Sequence, residues 1–130
     1  MAPACVIDAS AVVRIITAHP EAQVCIEALA TASLVIAPEL MLTEVSNVLW
    51  KLQRAQALGG IDPQDLLHDA RDLINHVEPD RVLQAEALAL ACHLDHPVYD
   101  CLYLALARRE AAVLLTADRR LQRLAEQVLP

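Results

Sequence analysis

Glycine is nearly absent from this sequence. The 130 residues contain two glycines, Gly59 and Gly60, and these are adjacent. A loop that cradles a nucleotide phosphate needs several glycines spread along a strand-to-helix turn. A nucleophile elbow is missing as well, and Ser10 has no histidine near it in the sequence. These absences exclude the glycine-rich phosphate loops and argue against serine-hydrolase chemistry.

Long hydrophobic runs are also missing, although apolar residues make up 56% of the chain and the mean hydropathy is +0.37. No stretch reaches the roughly 18 uncharged apolar residues that a membrane-spanning helix needs. The first eight residues lack the basic start and long apolar core of a signal peptide. We therefore expect a cytoplasmic protein without membrane contact, folded as a single domain over residues 1–130.

Basic residues are outnumbered, because 10 Lys and Arg face 17 Asp and Glu and give a formal net charge of −7. A protein that follows nucleic-acid phosphates through its bulk charge is expected to be basic. The charge therefore argues against that mode of binding. It does not argue against a site in which metal ions supply the positive charge.

Paired Cys-x-x-Cys spacing is absent too. The one set with some zinc-like character is Cys92, His93 and His96, followed by Cys101 in a very apolar segment. A core of this size does not need disulfides. We expect reduced core thiols and surface histidines.

Apolar runs and turn signals predict short buried strands that alternate with helices. The predicted strands are 4–7, 34–36 and 112–115, with a very short edge strand at Val77. The predicted helices are 9–18, 21–30, 38–58, one opening at Asp62, 80–94, 99–109 and one starting at Asp118. Such alternation predicts an α/β fold, an α/β/α sandwich of three layers around a short parallel sheet of four or five strands.

On the predicted 38–58 helix the core stripe is Met41, Val45, Val48 and Leu52. Glu44 lies about 60° to one side of this stripe, since it follows Met41 by three residues. Asn47 and Lys51 share the side of Glu44.

Four acidic residues fall at one predicted edge of the sheet. Asp8 ends the first strand, Asp118 follows the last strand, and Glu44 is in the second turn of a helix. Asp100 begins the 99–109 helix, which is apolar on nearly every face and is therefore expected to be buried. In a parallel sheet, strand C-termini and helix N-termini share the edge where ligands bind. Crowded carboxylates are costly, and binding hard cations such as Mg²⁺ or Mn²⁺ relieves that cost.

Each acid also has a purely structural interpretation. Asp100 and Asp118 can be helix caps, Glu44 can be a solvated helix residue, and Asp62 and Asp80 have the character of caps only. A cluster of arginines is interpreted as a solvated basic face that can also touch RNA phosphates; its members are Arg108, Arg109, Arg119, Arg120 and Arg123. Convergence of four acids at one edge favours the metal site.

At this point the chain resembles the PIN-domain nucleases, in particular the toxin subunits of bacterial VapBC-type toxin–antitoxin pairs. The segments that carry the resemblance lie in order along nearly the whole chain: residues 6–10 (VIDAS), 44–49 (EVSNVL), 99–107 (YDCLYLALA) and 115–121 (LTADRRL). Ala9 departs from a threonine that is common in the family, and a fifth strand is not evident.

The resemblance implies Mg²⁺- or Mn²⁺-dependent cleavage of RNA, with Asp8, Glu44, Asp100 and Asp118 as catalytic and metal-binding residues. It also implies supporting roles for the remaining matched positions, which are Ser10, Asn47 and Thr116. The family commonly dimerises, and its toxins are silenced by a small antitoxin whose tail enters the active-site groove. The predicted function is therefore a metal-dependent endoribonuclease, with RNA, a cognate antitoxin and a second copy of the chain as partners.

Two other functions compete with this hypothesis. One is a catalytically weak PIN-fold binding module that acts through dimerisation or an antitoxin-like peptide; the intact acidic quartet argues against it. The other is a phosphatase or signalling receiver on a similar sheet. That function needs an Asp-x-Asp motif, but Ser10 stands where the second aspartate is required.

Overall fold

A computed structural model describes residues 2–130 and contains four strands and seven α-helices. The strands are β1 (Ala4–Ile7), β2 (Leu34–Pro38), β3 (His76–Glu78) and β4 (Val113–Leu115). The helices are α1 (Ala9–Ile16), α2 (Ala22–Ala30), α3 (Leu40–Arg54), α4 (Pro63–Asp72), α5 (Gln84–Leu94), α6 (Val98–Arg109) and α7 (Arg119–Val128). A 3₁₀ turn, Asp80–Val82, precedes α5.

All strand pairs are parallel, and the strand order is β3-β2-β1-β4. The chain builds outward from β1 through β2 to β3 on one side, and then crosses to place β4 on the other side. The order therefore reverses between β1 and β4. In an open α/β sheet, this is the point where a crevice forms beyond the carboxyl ends of the strands.

Helices form a layer on each side of the sheet. α1 packs against α2, α3 and α4, whereas α6 packs against α5, α7 and the strands β1, β2 and β4. The chain moves along the sheet in one direction from β1 to β3 and in the other direction from β3 to β4. Because the crossovers are right-handed, the two groups of helices lie on opposite faces. The predicted α/β/α sandwich with a parallel sheet is confirmed, with four strands in the described residues.

The most buried helix is α6, in which every residue from Cys101 to Ala107 is buried. It was predicted to be apolar on nearly every face, and a helix of that kind has to lie inside the molecule. Among the described residues, none of the helices has both the length and the apolar character needed to cross a membrane.

The helix predicted at 38–58 is shorter at both ends. Pro38 closes β2 and does not begin the helix, which starts at Leu40. The helix stops at Arg54, because Gln56 takes a left-handed φ of 55° and the Ala57 N–H bonds back to the Leu52 carbonyl at 2.9 Å. This is a Schellman-type end made without glycine. Gly59 and Gly60 belong to the following loop.

The core stripe on α3 also differs from the prediction. Met41, Val45 and Leu49 are buried, while Val48 and Leu52 are only half-buried. The spacing of four residues turns the stripe slightly further around the helix than the predicted spacing does. Glu44 remains at the margin of the stripe and is half-buried.

Candidate functional site

Asp8 is the most enclosed carboxylate at the carboxyl edge of the sheet, with 5% of its surface exposed. It directly follows β1 and is the N-cap of α1, where Oδ1 accepts hydrogen bonds from the Ala11 N–H at 3.0 Å and the Ser10 hydroxyl at 2.7 Å. Oδ2 accepts a hydrogen bond from the Thr116 hydroxyl at 2.5 Å. All three donors are neutral, so the negative charge of Asp8 is held in place and not cancelled.

Ser10 and Thr116, the two predicted supporting hydroxyls, join the ends of β1 and β4. Their oxygens lie 3.2 Å apart, and both contact Asp8. The Ser10 oxygen also accepts a hydrogen bond from the Ala117 N–H at 2.9 Å, and the Thr116 oxygen accepts one from the Asp118 N–H at 3.0 Å. The hydroxyls therefore fix the loop after β4 against the loop after β1, at the point where the strand order reverses.

Asp118 is an exposed N-cap for α7. Its Oδ1 accepts hydrogen bonds from the Arg120 N–H at 2.8 Å and the Leu121 N–H at 3.2 Å. Asp118 therefore caps α7, as its structural interpretation predicted. Asp118 is at the same time close enough to Asp8 for its charge to contribute to raising the pKa of Asp8.

Glu44 lies on α3 beside the buried helix α6. The Tyr103 hydroxyl donates a short hydrogen bond to Oε1 of Glu44. Burial raises the pKa of Glu44, the Tyr103 hydrogen bond opposes that rise, and the charges of Asp100 and Asp8 add to it. Repulsion between these carboxylates means that α3, α6 and β1 bring their acidic residues towards one another.

Asp100 is in the first turn of α6 but is not its cap, because Pro97 occupies that position and no side chain caps the helix. Oδ2 of Asp100 instead lies 2.7 Å from Nε2 of His96, one turn earlier. The interpretation of Asp100 as a helix cap is therefore wrong. The expectation that the histidines of the zinc-like set lie on the surface is wrong for His96, whose ring is buried.

Sequence reasoning missed both Tyr103 and His96 as partners of the acidic residues. Tyr103 was named only within the 99–107 segment that carries the family resemblance, and His96 only among zinc-like candidates. The predicted companion Asn47 is exposed on α3 and makes no side-chain hydrogen bond within the described part of the chain. A spacing of i, i+4 between His96 and Asp100 was the one local signal that could have indicated that pair.

Burial raises the pKa of Asp8 as well, and its three hydrogen bonds only partly offset the effect. No Lys or Arg in residues 2–130 lies within ion-pairing distance of Asp8, Glu44, Asp100 or Asp118. Carboxylates placed together without cationic side chains are costly to keep ionised. A donor set of oxygen atoms with uncompensated charge fits Mg²⁺ or Mn²⁺ chemically.

No three His, Cys, Asp or Glu side chains in the described residues are arranged so that they can hold one metal ion as they stand. Each of the four carboxylates is held by hydrogen bonds to its own donors. All four cysteines are free, with Cys92 exposed and the other three buried.

A groove of about 310 Å³ opens beside the loop after β4. Its lining includes Thr116 and Ala117 from that loop, Arg14 of α1 and Val24 of α2. Arg14 pairs with Glu21 at 3.3 Å at the surface. The groove is therefore lined both by Thr116, whose hydroxyl contacts Asp8, and by a cationic side chain.

Known proteins resemble this chain in sequence and in fold. Ribonuclease VapC3 from Pyrobaculum aerophilum is 29% identical over 118 residues, which cover 89% of this chain and 90% of that protein. The crystal structure of PAE2754 from the same organism superposes with a TM-score of 0.72 at 21% identity and covers 99% of this chain and 90% of that one. Residues 5–127 match the family described as PIN domain, so the chain belongs to the PIN domain family.

Proposed function

We propose that this protein is a divalent-metal-dependent endoribonuclease of the VapC toxin type. The observation that carries the proposal is the group of four carboxylates at the β1/β4 reversal, mutually repulsive and without a Lys or Arg partner in residues 2–130. The name of the relative, Ribonuclease VapC3, supports RNA as the substrate.

Asp8, Glu44 and Asp100 are the proposed principal ligands, and Asp118 completes the set or serves a second ion. Mg²⁺ or Mn²⁺ bound there would supply positive charge against the phosphodiester and acidify an attacking water. Side chains of the protein orient the ligands and accept the proton. Ser10 and Thr116 orient Asp8, and one carboxylate of the group accepts the proton that the attacking water loses.

The reaction is hydrolysis of a phosphodiester. Water adds its oxygen to phosphorus, and the proton that it loses passes to a carboxylate. The bond from phosphorus to the leaving ribose oxygen breaks, and that oxygen takes up a proton from solvent to become a hydroxyl. The groove beside Thr116 is the proposed path of the RNA strand, with Arg14 contacting a flanking phosphate. A local cation and bound metal would compensate for the formal net charge of −7.

The proposed partners follow from the family resemblance. We propose a cognate antitoxin protein that covers the acidic groove, a homodimer as the working assembly, and the cytoplasm as the location. Co-expression with the product of a small neighbouring reading frame tests the antitoxin, and light scattering of the purified chain tests the dimer.

The catalytic proposal is tested by incubating total RNA with wild type and with Asp8→Asn, in Mn²⁺ and in EDTA. We expect cleavage by the wild type in Mn²⁺ alone and a rate at least about 100-fold lower for Asp8→Asn, which is about 2.7 kcal/mol in barrier. Asp62→Asn is the matched control, because Asp62 also caps a helix and lies outside the acidic group.

Equal cleavage by wild type and Asp8→Asn contradicts the proposal. Calorimetry separates the remaining alternative. If the wild type shows no Mn²⁺ binding at millimolar concentration and no cleavage, the chain is a PIN-fold binding module.

A further inference from the structure

Tyr103 is a buried phenol in a helix that is otherwise apolar along its buried length. It has 1% of its surface exposed, and its neighbours on α6 from Cys101 to Ala107 are buried as well. A phenylalanine would fill the same space without burying a hydroxyl. The hydroxyl has one side-chain partner, Oε1 of Glu44, and that residue belongs to a different helix, 59 positions away in the sequence.

The phenol is a donor under ordinary conditions. Burial and the neighbouring Glu44 carboxylate raise the pKa of Tyr103 far above its usual value, so the proton stays on the phenol oxygen. The hydrogen bond therefore restrains the Glu44 carboxylate without neutralising it. The second oxygen, Oε2, makes no hydrogen bond in the described residues and is left available.

His96 stands in the same relation to Asp100. Its side chain is 4% exposed, and Nε2 lies 2.7 Å from Oδ2 of Asp100. The backbone around it is well fixed, because the His96 N–H bonds to the Ala91 carbonyl at 3.1 Å and Pro97 begins α6 directly afterwards. With hydrogen on Nε2, the imidazole donates to Oδ2 of Asp100, and Oδ1 makes no hydrogen bond in the described residues.

The choice of donors distinguishes this arrangement from ordinary ion pairing. An arginine or lysine would hold a carboxylate equally well but would also satisfy its charge and compete with a metal ion. A phenol supplies direction without charge, and an imidazole donates from one ring nitrogen with a far narrower reach than a guanidinium. Groups that hydrogen-bond to metal ligands set the orientation of those ligands and change metal affinity when they are removed.

We propose that Tyr103 and His96 are positioning residues that hold Glu44 and Asp100 for a divalent cation. The inference rests on the proposed function, since it assumes that these two carboxylates are metal ligands. Tyr103 lies within α6, and His96 directly precedes its cap residue Pro97. These two donors therefore place carboxylates on two different helices, Glu44 on α3 and Asp100 on α6. Neither donor is expected to touch the RNA or the ion.

The experiment measures Mn²⁺ affinity by calorimetry without RNA, at one pH, for wild type, Tyr103→Phe and His96→Leu. Each variant keeps much of the volume and removes the donor. The dissociation constant is expected to rise by ~10- to 100-fold in each. His96→Gln keeps an N–H donor at similar reach, and we expect it to recover most of the lost affinity.

Matched controls are Tyr99→Phe and His93→Leu, which make the same changes at exposed positions close by on α6 and α5. Their dissociation constants are expected to stay within about twofold of wild type, since they remove no contact to a ligand. Thermal melting in EDTA reports folding. If His96→Leu does not fold, Tyr103→Phe and His96→Gln still decide the outcome.

The possible results separate the two proposals. Tight Mn²⁺ binding by wild type with unchanged affinity in Tyr103→Phe and His96→Leu overturns this inference and leaves the proposed function intact. In that case the two donors serve only to satisfy buried polar groups. No Mn²⁺ binding by wild type overturns the metal-dependent function and this inference with it.

Discussion

The hydroxyl of Thr116 donates a hydrogen bond to Oδ2 of Asp8 at 2.5 Å, across 108 positions of sequence. β1 and β4 are adjacent in the sheet, and Ile7 pairs with Leu115, so each residue lies one step past the end of its strand. The contact therefore exists because parallel pairing brings two strand ends level. It links the end of the last strand to the first acidic residue of the sequence.

Replacing Thr116 by valine tests what that link contributes. Thr116→Val keeps the branched shape but removes a donor to a charged group and an acceptor of the Asp118 N–H. We expect the free energy of unfolding to fall by about 1–2 kcal/mol, measured as a lower urea midpoint in EDTA with an unchanged slope.

Thr116→Ser provides the control, because it retains the hydroxyl and is expected to lose no more than about 0.5 kcal/mol. A midpoint for Thr116→Val that equals that of the wild type would mean that solvent replaces the hydroxyl without cost.

The metal-free protein is expected to carry a pH-dependent penalty at Asp8. Burial raises the pKa of Asp8 in the folded state above its unfolded value. The folded state therefore binds this proton more tightly, and the contribution of Asp8 to stability is fully present below the unfolded pKa of about 3.9 and is lost as pH rises through the folded pKa. Above the folded pKa the ionised carboxylate destabilises the fold.

Asp8→Asn should remove this penalty and keep the helix cap, since asparagine caps as well as aspartate. In EDTA at pH 7.5 we expect the variant to be more stable by on the order of 1 kcal/mol, which is roughly 3–5 °C in Tm. The advantage should shrink as pH is lowered towards 4.

The exposed cap variant Asp62→Asn should show no such trend. If Asp8→Asn is less stable than wild type across the whole pH range, the hydrogen bonds of Asp8 outweigh the cost of burying its charge.

The four thiols should differ sharply in reactivity. Cys92 is exposed on α5, whereas Cys5, Cys25 and Cys101 are buried. Burial raises the pKa of Cys5 to about 11, and burial raises the pKa of Cys25 and Cys101 also, so few thiolates form near neutral pH. A disulfide reagent at pH 8 should therefore modify one thiol quickly and the other three only on unfolding.

Cys92→Ser identifies the fast thiol, since that variant should lack the fast phase and keep the slow one. Two or more fast thiols in the native wild type would show that a buried cysteine is reached by local opening.

Much of the fold was predictable because the relevant signals are local. Apolar runs gave the strands, Asp62 before Pro63 marked the start of α4, and Asp118 marked the start of α7. The rule that strand C-termini and helix N-termini share one edge then predicted that the four carboxylates lie at the same edge, although their contacts were unknown. Burial and topology, both governed by the apolar pattern, were enough for that step.

The partners of the carboxylates were beyond local reasoning. Tyr103 reaches Glu44 because α3 and α6 approach each other in the folded chain, and nothing near Tyr103 in the sequence indicates that distance. His96 follows an apolar helix and precedes a proline, and this context does not show that its ring turns inwards. Side-chain partners across elements depend on packing, which a one-dimensional pattern does not specify.

Asp80 shows the same limit at a helix cap. It was expected to cap the helix that follows it, but its Oδ1 accepts a hydrogen bond from the Leu40 N–H of α3 at 3.1 Å. The Asp80 N–H in turn donates to Oε1 of Glu39 at 2.9 Å. Glu39 and Asp80 follow the parallel neighbours β2 and β3, so the two loops lie side by side and exchange hydrogen bonds between side chain and backbone.

This reciprocal cap gives a prediction for stability. Asp80→Ala should lower the free energy of unfolding by about 1 kcal/mol, because an N–H at the start of α3 loses its acceptor. Asp80→Asn keeps an acceptor oxygen and should cost no more than a few tenths of a kcal/mol. Urea unfolding of both variants measures the difference. Since α3 carries Glu44, Asp80→Ala should also speed amide hydrogen exchange in the first turn of α3, whereas unchanged exchange there would mean that Asp80 caps nothing of consequence.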